Sequence, residues 1–244
     1  MLPTPNATES MGVELQPLGI QRNKGVDFGA FSPMAEFAAV AAGRELRVFS
    51  WDRRADLRWT LCWAETVLQE CMKASERMVT ISMSESLVAV AAEGGFEVYE
   101  LNTPEDEGPR DPTMPRRKKE PVIRVIDARE LRTIALSPDI PETSGRICAG
   151  TGYGELLIWD IQRGEDGQYV LTPHSPHKLS LERRDKTLDL PSAVAFSHDS
   201  SRICVGSTSR NIYIYTLGED SWSLIKHLEG NFVSGHLLVL HRTN

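Results

Sequence analysis

Apolar positions along this chain come in short runs cut by Gly, Pro, Asn and Asp, and the runs recur in one order. An apolar residue followed by Ser opens each unit, a small-aliphatic run comes next, and an apolar run ending on an aromatic closes it. The copies are FSPMAEFAAVAAGRELRVFSW (31–51), ISMSESLVAVAAEGGFEVYEL (81–101), SGRICAGTGYGELLIWDI (144–161) and SSRICVGSTSRNIYIYTL (200–217). The first two align without a gap at an offset of 50 residues, and the last two at 56. A repeat of this length is a supersecondary unit that cannot bury its apolar surface alone and stacks on copies of itself.

Within a unit the pattern predicts three strands and two turns. The third copy gives LRTIALS (131–137), RICAG (146–150) and ELLIWDI (155–161); the fourth gives SAVAFS (192–197), SRICVGS (201–207) and NIYIYTL (211–217). After each triplet a more polar stretch holds one further strand: LRWTLCW (57–63), PVIRVID (121–127), QYVLT (168–172) and SWSLIKHL (221–228). Four-stranded units in series predict an all-β protein, a β-propeller of four-stranded antiparallel blades with about four blades present as an open arc or partial propeller. The blades fall at 26–63, 78–127, 131–172 and 192–228, inside a domain spanning 13–241, after a disordered N-terminus over 1–12.

Side-chain alternation agrees with blades. In the third strand of each unit Leu46 and Val48, Phe96 and Val98, Leu156 and Ile158, and Ile212 and Ile214 point to one face, while Phe49, Tyr99, Trp159 and Tyr215 point to the other. Both faces are apolar, as a sheet packed between two neighbours requires. The second strands, FAAVAA, LVAVAA, ICAG and ICVG, are small, which predicts that they lie where blades converge on a narrow channel.

Phe31-Ser32-Pro33, Leu136 to Asp139, Phe196 to Asp199 and the dipeptide Trp159-Asp160 after Ile158 carry a resemblance to the WD-repeat β-propeller family, covering roughly residues 26 to 228. The resemblance implies a propeller fold and a protein-interaction role. Three of the four closing dipeptides depart from Trp-Asp: Phe49-Ser50, Tyr99-Glu100 and Tyr215-Thr216. No Gly-His precedes a blade, so the buried Asp-His-Ser-Trp network of typical members is not expected. Offsets of 50, 60 and 56 between Phe49, Tyr99, Trp159 and Tyr215 exceed the family's repeat of about 40–45 residues, which places extra length in rim loops. Segments 13–20 and 233–241 read as further strands, the latter opening a fifth blade or closing onto the former.

Of 244 residues, 41% are hydrophobic, enough for a packed core. The net charge of −7 argues against general attraction to nucleic acid or anionic membrane. No apolar run approaches the ~20 residues that span a bilayer, and the N-terminus lacks a signal-peptide pattern, so a cytoplasmic or nuclear location is expected. Cys62, Cys71, Cys148 and Cys204 show no CxxC spacing and read as buried structural thiols. No metal site and no cofactor are expected.

Two polar insertions stand out, 102–121 and 172–191. The first carries the basic patch Arg116, Arg117, Lys118 and Lys119, which reads either as a nuclear-import or phosphate-binding signal or as a solvated loop. The second holds His174 and His177, whose intervening Pro176 breaks the helix that would align them on a metal, and the Thr172-Pro173 and Ser175-Pro176 pairs seen at proline-directed phosphorylation sites. Residues 63–78 carry apolar positions at i, i+3 and i+4 and predict one helix. Glu93-Gly94-Gly95 and the Gly-rich 150–154 precede strands and so read as turns.

No G-x-S-x-G, HExxH or converging carboxylates appear, and no enzyme activity is expected. The reading is a non-enzymatic scaffold whose rim loops meet a protein or peptide partner, with Arg44, Tyr153 and Arg210, in or beside the turns between second and third strands, as contact residues. Association with further blades or a second chain follows from the incomplete blade number. The alternatives are a phosphoinositide-binding adaptor using Arg183-Arg184, and a propeller hydrolase or oxidoreductase with polar groups hung into the channel from several blades.

Overall fold

A computed structural model describes residues 27–52, 58–71, 78–101, 119–126, 130–138, 144–181, 188–218 and 221–229. Among these there are sixteen strands and no helix. The first sheet holds β1 (Phe28–Phe31), β2 (Phe37–Ala42), β3 (Glu45–Asp52) and β4 (Arg58–Thr66), and the second β5 (Met78–Met83), β6 (Leu87–Ala92), β7 (Gly95–Glu100) and β8 (Ile123–Ile126). The third holds β9 (Leu131–Leu136), β10 (Ser144–Thr151), β11 (Glu155–Arg163) and β12 (Tyr169–Ser180). The fourth holds β13 (Pro191–Phe196), β14 (Arg202–Ser207), β15 (Ile212–Leu217) and β16 (Trp222–Leu228).

Each sheet is an antiparallel meander with its strands in chain order, the form of a propeller blade. The first strands β1, β5, β9 and β13 lie side by side in succession, so the sheets form an arc that is not closed into a ring. The convergence on the axis is therefore made by the first strands, not by the small second strands as the pattern suggested. The second strands are small for another reason: β6 and β10 pack directly on the first strand of the next sheet, β9 and β13, and large side chains would hold the sheets apart.

The repeat has a simple packing meaning. Cross-strand rows Ala30–Ala39–Val48, Ser82–Ala89–Val98 and Ala135–Cys148–Ile158 lie on the face of each sheet that meets the next one. Rows Met83–Val88–Tyr99, Leu136–Ile147–Trp159 and Phe196–Ile203–Tyr215 lie on the face that meets the preceding one. Three apolar clusters result, one per junction; Val48, Val88, Val98, Ile147, Ile158 and Ile203 are all fully buried within them. Burying a side chain of this size contributes about 1.5–3 kcal/mol, so the junctions hold the arc together.

The Ser that opens each unit is a turn device. The Ser32, Ser84, Ser137 and Ser197 hydroxyls accept from the backbone N–H of Phe37, Leu87, Arg146 and Arg202 at 3.2, 3.0, 3.3 and 2.9 Å. Their own N–H groups donate to the carbonyls of the same four residues, so backbone and side chain close each turn together. In the second unit the gapless alignment selects Ser82, whereas the structure uses Ser84, because that turn is two residues shorter. Ser82 Oγ instead accepts from Leu136 N at 2.9 Å, across the junction with the third sheet.

The helix predicted over 63–78 is absent from its described part. Residues 63–66 complete β4, and Val67 and Leu68 are buried between sheets, with Leu68 at φ 59. Their apolar spacing serves an extended connection that is covered on two sides, which a helical period mimics. The polar stretch from 172 continues β12 as far as Ser180. Segments 13–20, 102–118, 182–187 and 233–241 lie outside the described residues.

Candidate functional site

One rim of the arc carries every turn between second and third strands, together with the connections that lead into each following sheet. Backbone bonds fasten turn to connection: Val67 N to Arg44 O, Leu131 N to Glu93 O, Gly152 N to Glu130 O and Thr208 N to Leu190 O, at 2.8–3.0 Å. Arg44, Tyr153 and Arg210 all lie on this rim, on the first, third and fourth sheets. Tyr153 is 55% exposed; its N–H donates to Thr151 Oγ1 at 3.2 Å. Arg210 is exposed at φ 65, and its N–H donates to Ser207 O at 3.1 Å. Arg44 is half-buried.

Two buried carboxylates lock the rim. Asp189, 1% exposed in the connection into the fourth sheet, accepts from Ser207 Oγ (2.6 Å), Asn211 Nδ2 (2.9 Å) and Tyr213 OH (3.0 Å). Burial alone would raise its carboxyl pKa, but these donors and Ser209 hold the net value below the ordinary range. Glu97, also 1% exposed, accepts from Leu68 N (2.6 Å), Tyr99 OH (2.6 Å) and Arg124 Nε (2.8 Å), and Arg124 reaches Glu70 at 2.9 Å. Desolvation and the Glu97 hydrogen bond push the Tyr99 phenol far up. Each latch fixes the chain entering a sheet to the inner part of that sheet.

Sequence reading missed both latches. It set aside a buried network because Gly-His is lacking, yet Asp189, Ser207, Asn211 and Tyr213 build one from other residue types. The signals were an acid between apolar neighbours in GFEVYE (95–100) and in LDLP (188–191), where an unpaired carboxylate would be costly.

Next to the Asp189 latch the rim is apolar. Leu188 is 54% exposed, and its Cβ lies against the backbone of Gly154, the residue after Tyr153. Gly154 has φ +73, and a Cβ there would come 2.6 Å from the Asp189 carbonyl oxygen, so this close approach requires glycine. Tyr153 thus stands on a fixed turn and Leu188 on the connection packed against it, with the Glu130–Arg132 pair (3.1 Å) on the connection that bonds to Gly152.

Of the basic patch only Lys119 is among the described residues. Lys119 N donates to Glu65 Oε1 at 3.0 Å, and its ammonium stands 5.9 Å from the Trp63 ring centroid, on the outer strand of the first sheet. Arg116, Arg117 and Lys118 lie outside the described residues, as do Arg183 and Arg184. The other rim holds a third polar group. Asp160 pairs with Arg146 (3.2 Å) and with His174 Nδ1 (2.8 Å), while Arg146 also donates to Ser200 O across the junction of the third and fourth sheets. Asp199 nearby accepts from the Ser197 and Ser201 hydroxyls, which lower its pKa to about 2.

No disulfide joins the cysteines; Cys71, Cys148 and Cys204 are buried, and burial pushes their thiol pKa values up, to about 11 for Cys71 and Cys204. Among the described residues no three His, Cys, Asp or Glu side chains converge as metal ligands, and no helix is long and apolar enough to cross a membrane. Comparison with protein-family models and with curated protein sequences gives no match.

Proposed function

We propose that this chain is a non-enzymatic, WD-repeat-like scaffold that binds a protein or peptide partner through the rim bearing Arg44, Tyr153 and Arg210. The carrying observation is Tyr153: an aromatic side chain left 55% exposed on a turn whose neighbours are latched in place. Exposed apolar side chains gain by burial against a partner, and a turn already fixed loses little conformational entropy on binding. Leu188 extends the apolar contact, and Arg210 and the Glu130–Arg132 pair supply polar surroundings. The WD-repeat assignment draws support from the recurring turn serines and from the Asp160–Arg146 pair behind Trp159.

The test is quantitative affinity purification from the native cell with wild-type chain and with the Tyr153→Ala/Leu188→Ala double variant. A protein partner retained by the first and lost by the second, with unchanged circular dichroism, is the expected result. Equal retention by both, or turnover on a small-molecule panel without any protein partner, overturns the reading.

A further inference from the structure

On the rim opposite Tyr153, two junctions between sheets close in different ways. Glu100, which follows Tyr99 as Asp160 follows Trp159, is bonded directly across the junction of the second and third sheets, by Tyr169 OH at 2.9 Å and Arg163 Nη2 at 3.3 Å. Asp160 has no such tie. Both of its side-chain partners, Arg146 (3.2 Å) and His174 Nδ1 (2.8 Å), stand on its own sheet, and from this group one direct bond crosses to the fourth sheet, Arg146 Nη1 to Ser200 O at 3.3 Å.

Unpaired polar atoms collect at this place. Among the described residues, five buried side-chain nitrogen or oxygen atoms have no hydrogen-bond partner, and three of them are His174 Nε2, Ser200 Oγ and Trp222 Nε1. Trp222, 5% exposed, packs edge-on to the His174 ring at 6.2 Å between centroids, and Ser200, 7% exposed, is the residue whose carbonyl Arg146 holds. A series of contacts thus runs Ser200–Arg146–Asp160–His174–Trp222, from the fourth sheet through the third and back. Leaving a buried donor or acceptor unmatched costs about 1–3 kcal/mol, so three in one place call for a common partner.

The chemistry of the three atoms selects that partner. The Trp222 indole N–H only donates. His174 gives its Nδ1–H to Asp160, which leaves Nε2 of the neutral ring an acceptor, and the Ser200 hydroxyl does either. A metal ion gains nothing from an N–H donor, and an apolar group leaves all three atoms unmatched. An anion meets the carboxylates of Asp160 and of Asp199 in the Ser200 turn. A water molecule accepts from Trp222, donates to His174 and pairs with Ser200, about three bonds being usual for a buried water.

We propose that the third and fourth sheets are joined at this rim by one internal water, bound by Trp222 Nε1, His174 Nε2 and Ser200 Oγ. The bridge does for the Asp160 group what Tyr169 and Arg163 do directly for Glu100.

The experiment is water–protein nuclear Overhauser spectroscopy on the nitrogen-labelled full chain, read at the Trp222 indole N–H, which is assigned by its loss in Trp222→Phe. Wild type is expected to show a cross-peak to water with the sign of a molecule that tumbles with the protein. The peak is retained in Ser200→Ala, where two partners remain; Ala35 at φ 55 shows that alanine fits the left-handed backbone that Ser200 holds at φ 56. It is lost in the double variant Ser200→Ala/His174→Phe, which leaves the indole as the only partner. No peak in wild type overturns the proposal. So does a peak lost with Ser200→Ala alone, which is then relayed by that residue's own hydroxyl, or a peak unchanged in the double variant with unchanged circular dichroism. Where the double variant does not fold, wild type and Ser200→Ala decide by themselves.

Discussion

The Asp189 carboxylate accepts a 3.0 Å hydrogen bond from the Tyr213 hydroxyl, tying the connection between the third and fourth sheets to the core of the fourth. Ser207 and Asn211 donate to the same Oδ2 atom, so four side chains share one buried charge. Replacing Asp189 by Ala leaves three buried donors without their acceptor. Urea unfolding should show a loss of about 2–4 kcal/mol, against about 1–2 kcal/mol for Ser207→Ala, which removes one donor to Asp189 and the acceptor of Asn211 N–H.

Acid should loosen the opposite rim through Asp199. Its folded pKa of about 2 lies below the ordinary 3.8, so its contribution to stability is present above pH 3.8 and fades as pH falls toward 2. Asp199→Asn should therefore lower the urea midpoint slightly at neutral pH, with the difference from wild type shrinking through that acid window. The group is exposed, and solvent screening keeps the effect small.

Gly154→Ala meets two costs at once: a left-handed backbone at φ +73 and a Cβ 2.6 Å from the Asp189 carbonyl oxygen. A stability loss of about 1–3 kcal/mol is expected by calorimetry. Gly167, at φ +78 with nothing within 4 Å of its Cβ position, should lose less on the same substitution.

Alkylation should separate the cysteines. Cys62 is only half-buried, whereas Cys148 is fully buried, with its thiol pKa pushed up by desolvation. Timed iodoacetamide labelling read by peptide mass spectrometry should modify Cys62 first and Cys148 last, Cys148 reacting only on unfolding.

The strands were legible because a buried sheet leaves a two-residue period with both faces apolar. Ile158 and Trp159, adjacent in sequence, pack into different clusters, as that period requires. The helix expected over 63–78 failed for the converse reason: Val67, Leu68 and Cys71 are apolar because a connection is covered by sheets, and spacing alone does not distinguish that from a helical face. Tyr153 and Arg210 were placed on one rim by the order of strands. Leu188, Asp189 and Glu97 were not found, because their significance depends on contacts between segments that are distant in the sequence, such as Leu68 with Glu97, 29 residues apart, and Gly154 with Leu188 and Asp189.

Photocrosslinking tests the central claim most directly: that this rim, held by its latches, is the surface that meets a protein partner. A photoreactive amino acid is placed at Tyr153 in one preparation and at exposed His198, on the opposite rim, in another. In native cell extract the account predicts a discrete protein adduct from position 153 and none from 198. Adducts from 198 alone, or from neither position, would contradict it.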